Sequence, residues 1–232
     1  MVDFTGGTWR SLIDGSEVSA IPDLGLDHFY FSKELETVDP WPDEDGDLDA
    51  SAVGEPSLNS DGINGNQTVQ YGDEIDRHET GVFELNDEQE FTAVAVVELD
   101  KTSDVHRFAH RIGDGGFRWG VQEDTYDVNL FGGSSDDEVA TADTDPHVHV
   151  LTYNDGNIIW DVDGDNILND AFDPADDPTE GFAIFGQDGF DEGSLSGNAG
   201  CYGHESSPAD AERRNDITET LGDAFGIDVN ID

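Results

Sequence analysis

An all-β, two-sheet antiparallel jelly-roll sandwich with one C-terminal α-helix is the fold class that this sequence predicts. Three observations carry the prediction. Short β-prone runs follow one another from Phe91, Gly, Asp and Asn turns separate them, and one segment of helical spacing with start and stop signals lies near the C-terminus.

The runs are Phe91 to Leu99, Val105 to Ile112, Phe117 to Gln122, Tyr126 to Phe131, Val148 to Tyr153, Ile158 to Val162 and Phe182 to Phe185. Turns fall at Asp114-Gly115-Gly116, Asn154-Asp155-Gly156 and Asp163-Gly164. In the first run Phe91, Ala93, Ala95, Val97 and Leu99 form one apolar face, and Val94 and Val96 make the other apolar too. That strand is expected at the centre, covered on both sides. Around Asp163-Gly164 the apolar flanks predict a two-residue hairpin with positive φ angles. The helix is expected over 208–225, with Ser207 as cap, Pro208 in the first turn and Asp210 at capping-box spacing. Ile217, Leu221, Ala224 and Phe225 share one face, and Gly226 ends the helix. Residues 26–232 thus form the sandwich. Residues 1–25 read as an arm, in which Phe4, Trp9, Leu12 and Ile13 are apolar enough to be attachment residues against another chain.

Charge narrows the partners. Asp and Glu total 55 against 9 Lys and Arg, a formal net charge of -46. Such self-repulsion opposes compaction, and molar salt, with a Debye length of about 3 Å, relieves it. A salt-adapted protein is expected, all the more since Lys33 and Lys101 are the only lysines. Hydrophobic residues make up 35% of the chain and fall in periodic runs, which argues against disorder. No basic stripe interleaved with aromatics is present, so nucleic acid is not an expected partner. No run approaches the roughly 20 apolar residues of a membrane span, and no export signal is visible at the N-terminus. Cys201 is the only cysteine, which excludes an internal disulfide and a cysteine-based zinc cluster.

Three segments follow one another along the chain. The first holds Trp41-Pro42-Asp43 with Gly46, Gly54-Glu55-Pro56, Gly62-Ile63-Asn64-Gly65 and Val69-Gln70-Tyr71-Gly72. The second runs from Phe91-Thr92-Ala93-Val94 through His147-Val148-His149-Val150 to Val162-Asp163-Gly164. The third is Glu212-Arg213-Arg214 followed by Phe225-Gly226-Ile227. In this order they resemble the laminin-G-like, concanavalin A-like jelly-roll domains, of the kind found in haloarchaea and their tailed viruses; Tyr71-Gly72 departs from the usual F-D-G of that family. The resemblance implies a sandwich of the kind that binds glycans or proteins, sometimes with calcium, without naming the ligand.

Candidate site residues follow, each with a plain structural alternative. Glu74, Asp76 and Glu79 resemble the E-x-D-x-(x)-E strand of glycoside hydrolases on this fold, whose chemistry needs two carboxyls about 5 Å apart. Arg77 and His78 stand where apolar residues are usual, so no catalytic residues are assigned and no enzyme activity is expected. Arg118, Trp119 and Gln122 are the ligand-binding candidates, an aromatic ring for stacking flanked by planar polar groups; the alternative places Trp119 in the core. Asp161, Asp163 and Asp165 are the metal candidates, for calcium, against a plain hairpin; Asp43, Asp45, Asp47 and Asp49 carry the same ambiguity with a solvated acidic surface. His147 and His149, and His106 and His110, lack the companions of a zinc set. No cofactor is required.

Together these readings lead to an expected function: a non-catalytic virion surface protein of a haloarchaeal tailed virus, as head decoration, turret or tail fibre. It would be made in the host cytoplasm without a signal peptide. Its expected partners are other virion proteins, copies of itself and host surface glycans, with no membrane insertion. The alternatives are a salt-adapted glycoside hydrolase using Glu74 and Glu79, and a haloarchaeal cell-surface adhesin.

Overall fold

The computed structural model describes residues 22–72, 75–81, 90–111, 118–129, 135–136, 139–172, 182–187 and 193–231. Their elements are β1 (His28–Phe31), β2 (Ser51–Val53), β3 (Ser57–Asn59), β4 (Thr68–Tyr71), β5 (Arg77–Glu79), β6 (Phe91–Leu99), β7 (Val105–Arg111), β8 (Arg118–Gln122), β9 (Thr125–Asn129), β10 (Ser135–Asp136), β11 (His147–Asn154), β12 (Asn157–Val162), β13 (Asp165–Ala171), β14 (Phe182–Ile184), β15 (Gly197–Glu205) and α1 (Ala211–Phe225). One antiparallel sheet runs β13-β12-β11-β6-β15-β4-β3, with β1 also paired to β15; the other runs β10-β9-β8-β7-β14-β5-β2. This is the two-sheet sandwich that the strand pattern predicts.

Alternation sorts the side chains into two cores. Phe91, Ala93, Ala95, Val97 and Leu99 of β6 face Phe108, Trp119, Val121, Tyr126, Val128, Phe182 and Ile184 of the second sheet. Val94 and Val96 face the other way, where Val148, Val150, Phe29, Phe31 and Cys201 meet Ile217, Leu221 and Phe225 of α1. β6 is therefore central and covered on both sides, as its doubly apolar pattern requires. The Asp163-Gly164 turn has φ of 51° and 89°, the positive pair expected for its hairpin.

The helix starts later than 208. Its cap is Asp210, whose side chain accepts from the Arg213 amide, and its first residue is Ala211. The reason lies upstream: Thr92 Oγ1 donates to the Ser207 carbonyl and accepts from the Ala209 amide, so the chain stays tied to the sheet through Ala209. The Ser207 hydroxyl, expected to cap, bonds Glu205 instead. Gly226 ends the helix at φ 67° as expected.

Two motifs find physical reasons. Asp43 is buried and accepts from the Phe29, Gly46 and Leu48 amides and from His28 Nδ1, so the Trp41 turn is wound around one carboxylate. It is neither solvated surface nor an open metal loop. A Cβ at Gly46 would come 2.4 Å from that carboxylate. The Asn64 side chain donates to the Phe225 and Gly226 carbonyls, so the Gly62–Gly65 turn closes the C-terminal end of α1.

Phe4, Trp9, Leu12 and Ile13 lie outside the described residues. Of the arm's end, Leu24 is buried in the helix-side core, and its carbonyl accepts from Arg213. Among the described residues no helix is long and apolar enough to cross a membrane.

Candidate functional site

On the outward face of the second sheet, alternation places Arg107, Arg118, Gln122 and Asp127 opposite the core-facing Trp119, Val121 and Tyr126. Arg107 donates to Asp127 at 2.6 Å and to Gln122 at 2.9 Å; Arg118 joins Asp127 at 3.3 Å. Arg107 and Asp127 are themselves buried, so this is a closed network, with Arg118 and Gln122 only half-buried at its margin. Trp119 is 0% exposed and packs edge-on against Phe108 and Trp160. The stacking platform expected there is thus corrected: the ring fills the sandwich, because its strand position alternates inward with Val121. Among the described residues no aromatic ring is exposed enough to stack on a sugar.

The three aspartates of the expected metal loop are drawn to different partners. Asp161 accepts from Arg214 Nε at 2.6 Å and from Asn166 at 2.7 Å, pinning α1 to β12. Asp163 accepts from the Val148 amide at 2.8 Å and from His147 Nδ1 at 2.6 Å, and Asp165 accepts from Asn230 at 2.8 Å. The chain reverses at Asp163-Gly164, so Asp161 on β12, Asp163 in the turn and Asp165 on β13 are held by separate partners, and no group of three or more His, Cys, Asp or Glu among the described residues could hold a metal ion.

His147 lies between two carboxylates, Asp163 and Asp143. Burial opposes its charge, but both hydrogen bonds outweigh it and raise its pKa to about 9. Its strand neighbour His149 faces inward among Phe108, Trp119, Tyr126 and Trp160, where burial pushes its pKa well below 6.5.

Of the carboxylates in the hydrolase-like segment, Glu74 lies outside the described residues. Asp76 is buried and accepts from the Glu55 and Gly72 amides. Glu79 is held by Arg77 at 2.7 Å, on the strand face opposite His78.

Sequence reasoning did not find the pocket that the fold builds at one rim. A cavity of about 320 Å³ is lined by Lys101, Ser103, Asp104 and Val105 at the entry to β7, Glu123 in the β8–β9 turn, Gly72, and 193–196 before β15. Backbone bonds brace its walls: Arg107 N to Gly193 O at 3.1 Å, Asp124 N to Thr102 O at 2.8 Å, and Asp100 N to Ser196 O at 2.9 Å. Lys101 pairs with Asp104 at the mouth and holds its carboxyl below the usual range. His106, 1% exposed, lines the same cavity. Its Nδ1 accepts from the Ser196 amide at 3.2 Å, and Nε2 has no hydrogen-bond partner. Burial lowers its pKa, against the opposing effect of a hydrogen bond with the Ser194 backbone and of the Asp104 charge. The only sequence signal was a histidine at the start of a strand, which no local pattern marks as a pocket residue.

No family model matches the chain, and no curated protein matches it. Solved structures do. Domain 4 of AbnA, a GH43 extracellular arabinanase from Geobacillus stearothermophilus, in complex with arabinotriose, superposes with a TM-score of 0.66 at 8% identity, over 84% of this chain and 97% of that one. The fold is concanavalin A-like. The Trypanosoma rangeli sialidase in complex with sialic acid matches at TM-score 0.62 and 14% identity over 92% of this chain but only 35% of its own, so this chain spans about a third of that enzyme. The binding domain of botulinum neurotoxin DC in complex with SialylT matches at TM-score 0.59 and 13% identity, over 84% and 50%. Carbohydrate-binding domains therefore share this fold; at such identities the likeness concerns the fold alone.

Proposed function

We propose that this chain is a non-catalytic glycan-binding module which holds the end of a glycan in the rim pocket. One observation carries the reading: a braced, part-open cavity lined by Lys101, Asp104, His106, Glu123 and serines, on a fold shared with carbohydrate-binding domains. A volume of about 320 Å³ is at the small end for ligand sites and suits one sugar unit better than a chain. The absence of an exposed ring among the described residues favours recognition by hydrogen bonds over stacking. Catalysis is not supported by the carboxylates at hand. Asp76 and Glu79 are committed to amides and to Arg77, and Asp104, its pKa lowered by Lys101, is ill suited to act as a general acid.

The wider placement belongs to the same proposal: a virion surface protein of a tailed virus of a haloarchaeon. The formal charge of -46 and the apolar arm residues Phe4, Trp9, Leu12 and Ile13 support it, and copurification of the chain with particles tests it.

For the pocket, the experiment is a glycan array probed with the full chain in molar potassium chloride, followed by product analysis of whatever binds. Binding without cleavage, lost in His106→Phe while the circular dichroism spectrum holds, is expected. Failure to bind any glycan would overturn the reading, and cleavage abolished by Glu79→Gln would overturn its non-catalytic part.

A further inference from the structure

We propose that Asn64 is a deamidation site which the docked C-terminal helix keeps inert, and which reacts once the Gly62–Gly65 turn opens, leaving the end of α1 undocked. The site belongs to the helix-side face of the molecule and owes nothing to the rim pocket.

Chemistry singles the residue out. Asn64-Gly65 is the one Asn-Gly pair in the sequence, and both residues are exposed to water. Glycine has no side chain to keep its own backbone nitrogen away from the Cγ of the asparagine before it. The Gly65 nitrogen, its proton passed to water, adds to Asn64 Cγ; the Cγ–Nδ2 bond then breaks, and Nδ2 takes a proton back and leaves as ammonia. Water opens the resulting five-membered imide at one carbonyl or the other, giving an aspartyl or an isoaspartyl residue. One water is consumed, one ammonia is released, and nothing is oxidised or reduced.

The fold withholds each step. Asn64 sits at φ 50° and ψ 37°, which turns the Gly65 nitrogen to the side of the Cα–C bond opposite Cβ, out of reach of Cγ. The Gly65 amide donates to the Gly62 carbonyl at 3.0 Å. The leaving nitrogen is held as well: Nδ2 donates to the Gly226 carbonyl at 2.8 Å and to the Phe225 carbonyl at 3.2 Å, at the helix end where intrahelical donors run out. Reaction therefore waits until the turn leaves the helix. Afterwards the return is blocked. A carboxylate has no proton to give, and it would face two carbonyl oxygens at the negative end of the helix dipole. An isoaspartyl link would add a methylene to the backbone of a turn already in the left-handed region. Phe225, whose carbonyl this turn holds, is fully buried in the helix-side core, so the modified chain keeps that end of α1 loosened.

The test first follows the unaltered full chain, incubated at neutral pH in molar potassium chloride with and without urea above the unfolding midpoint, beside a synthetic peptide spanning 60–68 in the same two solutions. Mass spectrometry of the digested samples reads conversion of the Asn64 amide to an acid. In the folded chain the reaction is expected to run at least tenfold more slowly than in the peptide, because it passes through local opening. With urea present the two rates should agree within about twofold. Asn64→Asp, which encodes one of the products, should lower the melting temperature in molar potassium chloride and speed hydrogen exchange of the backbone amides in the last turn of α1. Equal rates in folded chain and peptide, an Asn64 that stays intact in urea, or an Asn64→Asp chain with the parent's melting temperature and exchange would each overturn the proposal. None of these results bears on the rim pocket.

Discussion

Gly200→Ala isolates the contact by which the C-terminal helix is held to the sandwich. A Cβ at this position of β15 would stand 2.6 Å from Cε1 and Cζ of the Phe225 ring, well inside ordinary contact. The ring has little freedom to yield. It is fully buried, packs edge-on against Phe31 at 5.6 Å, and its backbone carbonyl accepts from the Asn64 and Asn66 side chains. Two effects compete. Removing a strand glycine favours folding by roughly 0.5–1 kcal/mol, whereas overpacking a close-packed core costs roughly 1–3 kcal/mol. The clash wins, leaving a net loss of about 1–2 kcal/mol, or about 2–8 °C in melting temperature for a chain of this length. Urea and thermal unfolding followed by circular dichroism in molar potassium chloride would read it. The decisive comparison is the cycle with Phe225→Leu, in which the smaller side chain makes room and most of the Gly200→Ala cost should disappear. A stabilising Gly200→Ala, or strictly additive costs in the cycle, would refute the contact.

Stability should depend on pH in two directions. His147, with a folded pKa of about 9 against about 6.5 unfolded, stabilises fully below pH 6.5 and loses that contribution as pH rises toward 9, a loss of order 1–3 kcal/mol that His147→Gln would abolish. His78, His106 and His149 are lowered by burial, so each costs stability as pH falls below 6.5, by up to about 1.4 kcal/mol per pH unit until its folded pKa is reached. Urea midpoints should therefore peak between these limits; a flat profile from pH 5 to 9 would contradict both assignments. The charge of -46 further predicts cooperative unfolding as potassium chloride is withdrawn below roughly molar, where the Debye length grows from about 3 Å towards 10 Å. An unchanged melting temperature in dilute buffer would remove salt adaptation from the account.

What the sequence discloses divides along physical lines. Strands whose side chains do the packing were legible: β6 reads as central because both its faces are apolar, and the β12–β13 hairpin reads from Asp163-Gly164. The long central β15 did not read as a strand. In Gly-Asn-Ala-Gly-Cys-Tyr-Gly-His-Glu the partners supply the bulk: Gly200 makes room for Phe225, and a Cβ at Gly203 would stand 2.5 Å from Leu26. The helix's stop signal was clear, but its start was displaced by Thr92, a tertiary contact 115 residues away from Ser207. For the site, residue type misled where burial decides. Trp119 has the chemistry of a platform and the position of a core residue, and Asp161, Asp163 and Asp165 have ligand chemistry but separate partners. The rim pocket gathers Gly72, the 101–106 stretch, Glu123 and the 193–196 stretch from four places in the chain, a convergence that no local pattern records.

The central claim, that the rim pocket holds the end of a glycan, is tested most directly by ¹⁵N NMR of the full-length chain in high potassium chloride, titrated with a monosaccharide taken from whatever the glycan array binds. The account predicts that the backbone amides of residues 101–106, 123 and 193–196 move on titration and saturate with the binding curve, and that the shifts are lost in His106→Phe. Amides around the pocket that stay fixed while sugar binds, or shifts confined to other residues, would contradict it.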